Sequence, residues 1–339
     1  MTSEDLSPRD RRRGAGPPTR QLVEEVLRAA IAAPSLYNSQ PWRFEVGDAG
    51  ATVRLSLDPA RLLRVADPHA RAAHIACGAA LFNLRMAAAV GGSRVIVRVI
   101  PDSDKASLLA WIQLSGTHRA EVWERELCAA IPRRQTNRGP FNNRLVPPGV
   151  RAELAEAASA EGAILHFPGR DEAARLRRLA ADAERDLLTN PDYRAELAHW
   201  VSDGRQWDGI PTDALGPRSP EGREPVRAFG RMRAVQTRYA WFEEHPQLAV
   251  ISVRLGGPRD WVAAGQALER TWLMATDRGV SVCPLTQPLE APDAWLVRGR
   301  QSGVEQPQMI LRIGYGLPIA AGALRRSLAE VTDWIPADD

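Results

Sequence analysis

Apolar residues recur at helical spacing in several stretches of the chain. From Arg20, apolar positions fall three or four residues apart, at residues 22, 23, 26, 27, 30 and 31. A second stretch, from His74 to Ala89, is densely apolar and ends at Gly91-Gly92, a typical helix stop. This period predicts helices that bury one face. Further helices are predicted over residues 147–160, 169–200 and 261–278, with a short one at the end of the chain.

Other stretches are short and apolar or alternate, which is typical of β-strands. They cover residues 53–57, 94–100, 163–167, 248–255 and 308–316, and an alternating strand follows Pro41. Residues 108–116 fit either a helix or a strand, and residues 282–290 are predicted to be a loop. Helices interleaved with strands in this way predict an α+β protein whose central sheets are flanked by helices.

Two segments lack any periodicity. Residues 1–19 are polar, contain Gly, Pro and an arginine triplet, and are predicted to be a disordered tail. Residues 201–226 carry turn signals, among them Asp208-Gly209-Ile210-Pro211. A long irregular segment within a compact protein is usually a functional lid or a disordered loop.

Composition narrows the class of protein. The 339 residues are 44% hydrophobic and 25% charged, which is typical of a soluble globular protein, and a net charge of +3 gives no argument for nucleic-acid binding. No stretch predicts a membrane span or a secretory signal, so a cytoplasmic protein without a membrane partner is expected. The three cysteines have neither CxxC spacing nor a histidine cluster beside them, which fits a reducing compartment and predicts no metal site.

The chain also contains an internal similarity at an offset of 187 residues. It pairs residues 78–81 (GAAL) with residues 265–268 (GQAL), and it also pairs Gly92 with Gly279. We therefore predict two copies of one α+β unit, packed face to face. The first half covers residues 20–116, and the second covers 117–168 and 246–330, interrupted by a helical insertion over 169–245.

A polar turn between two apolar elements offers candidate chemistry. Residues 32–44 read AAPSLYNSQPWRF, and the prolines at 34 and 41 bracket a rigid, non-helical segment. Ser35, Asn38 and Gln40 place short hydrogen-bonding side chains between two buried elements. This arrangement can bind a polar planar ligand. A helix C-terminus followed by an ordinary turn accounts for the same residues.

The pattern A-P-S-x-x-N-x-Q-P-W-x-F resembles the signature of the nitroreductase superfamily, whose members bind FMN. The long form seen here is most similar to the Acg-type branch of that superfamily. The resemblance covers nearly all of the chain after residue 20. It implies a nitroreductase-like fold, duplicated within one chain as a pseudo-dimer.

The features that each half lacks predict the number of cofactors. Superfamily members are usually intertwined homodimers in which one subunit supplies an Arg-x-Ser-x-Arg-type segment and its partner supplies Pro-Ser-x-x-Asn. Here the first half has Pro-Ser-x-x-Asn at residues 34–38, and the second has Arg-Gln-Thr-Asn-Arg at 134–138. Residues 158–163 of the second half do not match the Pro-Ser-x-x-Asn pattern. The resemblance therefore implies one FMN per chain, in a monomeric pseudo-dimer.

The resemblance also assigns roles to individual residues of three segments. Arg134 and Thr136 match the phosphate-binding positions of the family, and Arg138 matches the basic residue near the N1/O2 edge of the flavin ring. The family segment that contacts the ring and the ribityl chain corresponds to Pro34, Ser35, Asn38 and Gln40. The loop whose backbone N–H faces flavin N5 corresponds to Pro284, Leu285 and Thr286, with Thr286 as the expected donor.

Arg325 and Arg326 resemble a basic pair that reaches the phosphate in relatives, although a solvated surface pair accounts for them equally well. The sequence contains no recognisable Ser/His/Asp or Cys/His set and no P-loop. No catalytic acid or base is therefore assigned, since the flavin itself carries the redox chemistry.

Two functions of different classes follow from the resemblance. The first is an FMN-dependent oxidoreductase that passes electrons from NAD(P)H to a nitroaromatic, a quinone or a similar acceptor; an enzyme that tailors a natural product would share this fold. The second is a protein that sequesters FMN with little or no turnover, because residues 201–226 occupy the place of the segment that covers the flavin in the Acg-type branch. Trp200 and Trp207, which flank the turn at residues 208–211, are expected to help seal the pocket.

Overall fold

The computed structural model describes residues 18–100, 107–201, 207–222, 225–227, 229, 238–290, 305–318 and 323–336. The predicted tail over residues 1–19 lies outside the described residues except for Pro18 and Thr19. Thr19 is the N-cap of the first helix, where its side chain accepts a hydrogen bond from the backbone N–H of Leu22.

The first sheet has the strand order β3-β4-β2-β1-β9. Strands β1 and β2 form an antiparallel pair in which Trp42 lies opposite Leu57, and alternate residues of β1 are buried because one face of the sheet covers the core. The last strand, β9, pairs with β1 in parallel. The strands of this sheet are β1 (Trp42–Gly47), β2 (Thr52–Leu57), β3 (Arg94–Val99), β4 (Leu108–Ser115) and β9 (Thr332–Trp334).

The second sheet has the strand order β5-β6-β8-β7, and all of its pairs are antiparallel. Its two central strands are buried almost continuously, because protein covers both of their faces. The strands of this sheet are β5 (Ile164–His166), β6 (Gln247–Val253), β7 (Ser281–Pro284) and β8 (Gln306–Gly314).

Two 20-residue helices, α2 and α7, form the centre of the molecule. Most residues of α2 are small or apolar. This helix is long and apolar enough to cross a membrane, but 83% of its apolar 18-residue stretch is buried inside the protein. The helices are α1 (Arg20–Ile31), α2 (Arg71–Val90), α3 (Val122–Ala130), α4 (Pro148–Ser159), α5 (Arg170–Leu187), α6 (Pro191–Trp200), α7 (Pro258–Asp277), α8 (Gln287–Glu290) and α9 (Leu328–Val331).

The two central helices cross at a pair of glycines. A Cβ atom added at Gly78 would lie 2.1 Å from the carbonyl oxygen of Val262, and one added at Gly265 would lie 2.0 Å from that of Ile75. The contact is reciprocal: the offset that pairs Gly78 with Gly265 also pairs Ile75 with Val262.

The same order of elements occurs twice along the chain. The first unit consists of α1, β1, β2, α2, β3 and β4, and the second unit consists of α4, β5, β6, α7, β7 and β8. Without β9, the first sheet runs β3-β4-β2-β1, and the second runs β7-β8-β6-β5, so that corresponding strands occupy corresponding places. A short turn of residues 48–50 joins β1 to β2, whereas residues 167–246 separate β5 from β6.

The residues between β5 and β6 pack against both units. Leu176 of α5 packs in a cluster with Val250 and Ile310 of the second unit. Leu285, which directly follows β7, belongs to the same cluster. Tyr193, Leu197 and Trp200 of α6 join a cluster with Tyr37 and Leu63 of the first unit, which Ile210, Leu215 and Phe229 complete. This long connection therefore lies over the junction of the two units.

Several predicted elements need correction. Residues 282–290 are not a loop throughout, because residues 281–284 form β7 and residues 287–290 form α8. The ambiguous stretch at 108–116 is the strand β4, and the end of the chain adds β9 after the short helix α9. No helix is predicted where α3 lies, and the N-terminus of this helix is fixed by a capping box between Glu121 and Glu124.

Candidate functional site

The polar turn after α1 adopts an uncommon backbone conformation. Tyr37, Asn38 and Gln40 all have positive φ angles, between 52° and 56°, which residues with a Cβ atom rarely adopt. Ser35 stabilises the turn, since its hydroxyl oxygen accepts a hydrogen bond of 3.0 Å from the backbone N–H of Gln40. Left-handed residues clustered in this way persist where the surroundings hold them, and they are often found at functional sites.

A pocket opens beside this turn, between the two units. Its empty space, including the open mouth, is about 820 Å³. Six of the residues predicted for the site line it together: Pro34, Ser35, Thr136, Arg138, Pro284 and Thr286. Thr136 reaches the pocket because its segment runs alongside β7, where the backbone N–H of Asn137 donates to the carbonyl oxygen of Val282 at 2.9 Å.

One wall of the pocket is apolar. It is formed by side chains from the two central helices and from β8, which include Ile75, Leu268, Trp272 and Met309. The long connection adds the apolar lining residues Ile210 and Phe229. A cavity lined mainly by apolar side chains with a few polar groups is typical of ligand-binding sites.

A buried polar network closes one end of the pocket. Arg227 forms an ion pair with Glu290, donates to the hydroxyl of Tyr37, and donates to the hydroxyl of Thr286 at 3.1 Å. The hydroxyls of Tyr37 and Tyr193 lie 2.8 Å apart. Burial raises the pKa of both phenols, so they remain protonated at neutral pH. The network links the turn, the long connection and the loop after β7.

Arg134 does not line the pocket but lies directly behind it. Its Nη2 donates to the carbonyl oxygen of Ala32 at 2.8 Å, and its guanidinium stacks over the ring of Trp272 at 4.7 Å. Its Nε lies 3.2 Å from a carboxylate oxygen of Glu269, which is fully buried. Arg134 is therefore held against the inner side of the pocket wall.

The two adjacent arginines near the end of the chain point to different partners. Arg325 joins Arg134, because its Nη2 donates to the carbonyl oxygens of Ala32 and Ala33 at 3.1 and 3.0 Å. Burial and the neighbouring charge of Arg134 lower the pKa of Arg325 to about 9. Arg326 instead forms ion pairs with Asp58 at 3.7 Å and Glu330 at 3.9 Å.

Three predicted site residues hold the backbone of the long connection. Asn38 donates to the carbonyl oxygen of Gly209 at 3.1 Å, and Gln40 donates to that of Trp207 at 2.8 Å. Arg138, which does line the pocket, donates to the carbonyl oxygen of Ala214 at 3.0 Å. Asn38 and Gln40 are not among the residues that line the pocket, and Leu285 is buried in the α5 cluster.

The two tryptophans expected to seal the pocket do not line it. Trp200 is buried in the cluster that includes α6, whereas Trp207 is 53% exposed. The residues of the long connection that line the pocket are Ile210, Arg227 and Phe229. The sequence offered no signal for Arg227 and Glu290, since arginine and glutamate are frequent throughout this chain.

Two other side chains of reactive types, Cys283 and His74, lie at or near the site, and neither is activated. Cys283 lines the pocket, but burial raises the pKa of its thiol, so it is not a nucleophile at neutral pH. His74 contacts the carbonyl oxygen of Ala70 and packs edge-on against Trp261. Within the described ranges, no three His, Cys, Asp or Glu side chains could hold a metal ion together.

Comparison with curated proteins finds relatives along most of the chain, whereas no family model matches it. A Mycobacterium tuberculosis protein provisionally named an NAD(P)H nitroreductase is 32% identical over 326 residues, which cover 94% of this chain and 92% of that protein. The M. tuberculosis protein provisionally named NAD(P)H nitroreductase acg is 28% identical over 301 residues, covering 87% and 89%.

Solved structures give weaker similarities. The FMN-dependent nitroreductase NfnB from Mycobacterium smegmatis, in complex with NADPH, is 16% identical with a TM-score of 0.40, and the match covers 62% of this chain and 99% of that one. A nitroreductase with bound FMN from Bacteroides fragilis is 16% identical with a TM-score of 0.35, covering 60% and 93%.

Proposed function

The chain belongs to the nitroreductase family, and on that premise we propose that it binds one FMN between its two units as an FMN-dependent oxidoreductase. Electrons would pass from NAD(P)H to a nitroaromatic, a quinone or a similar acceptor. The observation that carries this proposal is the meeting of Pro34 and Ser35 from one unit with Thr136, Arg138 and Thr286 from the other in a single pocket.

The chemistry of the pocket suits an isoalloxazine ring. Trp272, Leu268 and Met309 offer an apolar surface to a planar ring. Ser35, Thr136 and Thr286 place hydroxyl groups around it. When bound, FMN would supply hydride transfer, which no side chain can provide. The protein would orient the ring and exclude water from one of its faces.

Positive charge is available at two places where a flavin needs it. Arg138 lines the pocket, and a cation near the N1/O2 edge stabilises the anionic reduced ring. Behind the wall, Arg134 and Arg325 lie side by side; Arg134 Nε pairs with Glu269 at 3.2 Å, whereas Arg325 Nε has no hydrogen-bond partner among the described residues. Paired guanidinium groups suit a phosphate. Arg326, which is paired elsewhere, is assigned no phosphate contact.

The repeated order of elements supports a duplicated unit and a fused pseudo-dimer. We propose the domain boundaries predicted above, with the segment over residues 169–245 inserted between the corresponding strands of the second half. Only one Pro-Ser-x-x-Asn segment and one Arg-Gln-Thr-Asn-Arg segment exist to build a site. We therefore expect one FMN per chain after reconstitution and dialysis, measured as flavin absorbance against protein concentration. A ratio near two would contradict this assignment.

Anaerobic titration of the yellow protein tests the oxidoreductase proposal. We expect NADH or NADPH to bleach the flavin absorbance, because an oxidoreductase of this kind must admit a nicotinamide to one face of the ring. Dithionite serves as the control, since it reduces flavin without docking. Bleaching by dithionite but not by either nucleotide would overturn the reductase proposal, and a chain that binds no FMN would overturn FMN binding itself.

One observation favours a second candidate, a protein that sequesters FMN. Ile210, Arg227 and Phe229 of the long connection line the pocket, and Asn38, Gln40 and Arg138 hold its backbone. Arg61 adds an ion pair with Asp208 at 2.6 Å, in which both side chains are only 15% exposed. A connection fastened by this many bonds would restrict the access of nicotinamide to the flavin.

Asp208→Asn tests this restriction. We expect this change to speed the reduction of bound flavin by NAD(P)H about tenfold. The loss of a charge-assisted hydrogen bond worth about 1.4 kcal/mol raises by that factor the population of molecules in which the long connection is released. Asp333→Asn is the matched control, since Asp333 pairs with Arg43 at the exposed edge of the first sheet. Stopped-flow absorbance measures both rates. Equal rates in wild type and Asp208→Asn would contradict a covering role for this segment.

A further inference from the structure

Behind the pocket wall lies a buried cluster of polar groups formed by Asn83, Arg134, Glu269 and Arg325. Arg134 Nε lies 3.2 Å from a carboxylate oxygen of Glu269, and the amide of Asn83 also interacts with that carboxylate, whereas Arg325 Nε has no hydrogen-bond partner among the described residues. A buried donor without a partner costs about 1–3 kcal/mol. Such a donor beside a buried ion pair therefore indicates that a polar ligand belongs there.

The cluster adjoins the pocket at several points. Arg134 stacks on Trp272 and Glu269 follows Leu268 in α7; Trp272 and Leu268 both line the pocket. Arg134 and Arg325 also share the carbonyl oxygen of Ala32 as an acceptor, two residues before Pro34. A ligand whose flat part fills the pocket can therefore extend an anionic end toward the cluster.

The charges of the cluster are unequal. Two arginines face one carboxylate, and Asn83, on the opposing helix α2, adds no charge. The net charge of one positive unit favours an anion. However, a phosphate ester carries nearly two negative charges at neutral pH, because its second pKa is about 6. Such an anion beside the buried carboxylate of Glu269 would leave the cluster with an excess negative charge.

We propose that Glu269 is a specificity-determining residue of the cofactor site, which takes up one proton from solvent when the phosphate of FMN binds beside Arg134 and Arg325. This inference rests on the proposed binding of FMN. With that proton, the charges of the phosphate, the two guanidinium groups and the neutral carboxyl group cancel. The protonated carboxyl group also becomes a donor, which a carboxylate is not, and can satisfy an acceptor oxygen.

The electrostatics of the unliganded cluster agree with this role. Burial raises the pKa of Glu269, while Arg134, Asn83 and Arg325 oppose that rise. A bound phosphate adds like charge, which raises the pKa further. Because the bound form holds the proton more tightly, affinity for FMN must fall as the pH rises.

Comparison of FMN with riboflavin isolates the proton uptake that is linked to the phosphate, since riboflavin lacks the phosphate. Between pH 7 and 8 we expect the Kd of the wild-type protein for FMN to rise about tenfold, the limit for one linked proton, and its Kd for riboflavin to stay constant. Glu269→Gln should flatten the FMN profile, and the Kd of this variant for riboflavin should remain independent of pH. Quenching of flavin fluorescence gives all of these constants.

Glu124→Gln is the matched control. Glu124 is also a buried glutamate, but it caps α3 and pairs with His118. This variant should keep the FMN profile of the wild type. If Glu269→Gln keeps the pH dependence, or weakens FMN and riboflavin equally, Glu269 has a structural role only and the proposal is overturned. A wild-type chain that binds neither flavin would instead overturn the proposed cofactor site.

Calorimetry on the wild-type protein gives a second measurement that needs no variant. Titration at pH 7.5 in two buffers with different ionisation enthalpies yields the number of protons taken up. We expect close to one proton with FMN and none with riboflavin, because Arg325, with its pKa of about 9, stays protonated at this pH. The absence of net uptake with FMN would overturn the proposal even if Glu269→Gln fails to fold.

Discussion

Replacing Gly265 with alanine is expected to destabilise the protein by about 3 kcal/mol or more, the upper range for overpacking. The added Cβ atom would lie 2.0 Å from the carbonyl oxygen of Ile75 and 2.9 Å from the Cα atom of Gly78, and both belong to a helix backbone that cannot rotate away. The usual gain of about 1 kcal/mol for Gly→Ala within a helix is too small to offset this clash. Urea unfolding followed by circular dichroism measures the loss.

Gly149→Ala provides the matched comparison. Gly149 lies in the first turn of α4, and a Cβ atom added there meets nothing within 4 Å. This variant should unfold at the wild-type midpoint or slightly above it. Equal midpoints for Gly265→Ala and Gly149→Ala would show that the two central helices do not need their close contact. Because the pocket lies between the units, Gly265→Ala should also lower the flavin content.

Replacing Arg227 with methionine is the second change with a large expected effect, about 3–5 kcal/mol of destabilisation. Glu290, whose side chain is 1% exposed, would be left as a buried charge without its ion-pair partner. The hydroxyl groups of Tyr37 and Thr286 would lose a donor as well. Thermal and urea unfolding measure the loss, and flavin content reports on the end of the pocket that this network closes.

A double-mutant cycle identifies the cause. Arg227→Met combined with Glu290→Gln removes both charges and should cost less than the sum of the single changes, because no buried charge is left unpaired. Arg278→Met is the comparison for an exposed pair, since Arg278 and Glu153 are 35% and 43% exposed, and it should cost less than about 1 kcal/mol. Additive costs at positions 227 and 290 would contradict the buried-pair explanation.

The regular elements were mostly predictable, because their signals are local. The apolar positions of α1 repeat every three or four residues, and Val23, Val26, Leu27 and Ala30 are indeed buried. Alternation in β3 likewise matched a strand. In contrast, β9 has three residues, Thr-Asp-Trp, and exists because it pairs with β1 at a distance of nearly 290 residues. No local pattern can encode such a partner.

The site was predictable only in part, for the same reason. The family motifs pointed to Ser35 and Thr136, which the structure brings to one pocket. Asn38 and Gln40 belong to the same motif, yet their side chains hold the backbone at residues 207–209. Arg227, Glu290 and Glu269 stood out in no motif, because their importance arises from burial next to one another rather than from spacing along the chain.

The sequence by itself determined the α+β class, the positions of most helices and strands, and the family, and it predicts an internal repeat at an offset of 187 residues. Each of these is encoded by local periodicity or by a contiguous motif. Only the tertiary structure decided that Gly78 and Gly265 meet, that Arg325 rather than Arg326 joins Arg134, and that the turn at residues 34–40 holds the long connection beside a pocket. These contacts join residues far apart in the chain, and their energies depend on burial and distance, which only the folded protein defines.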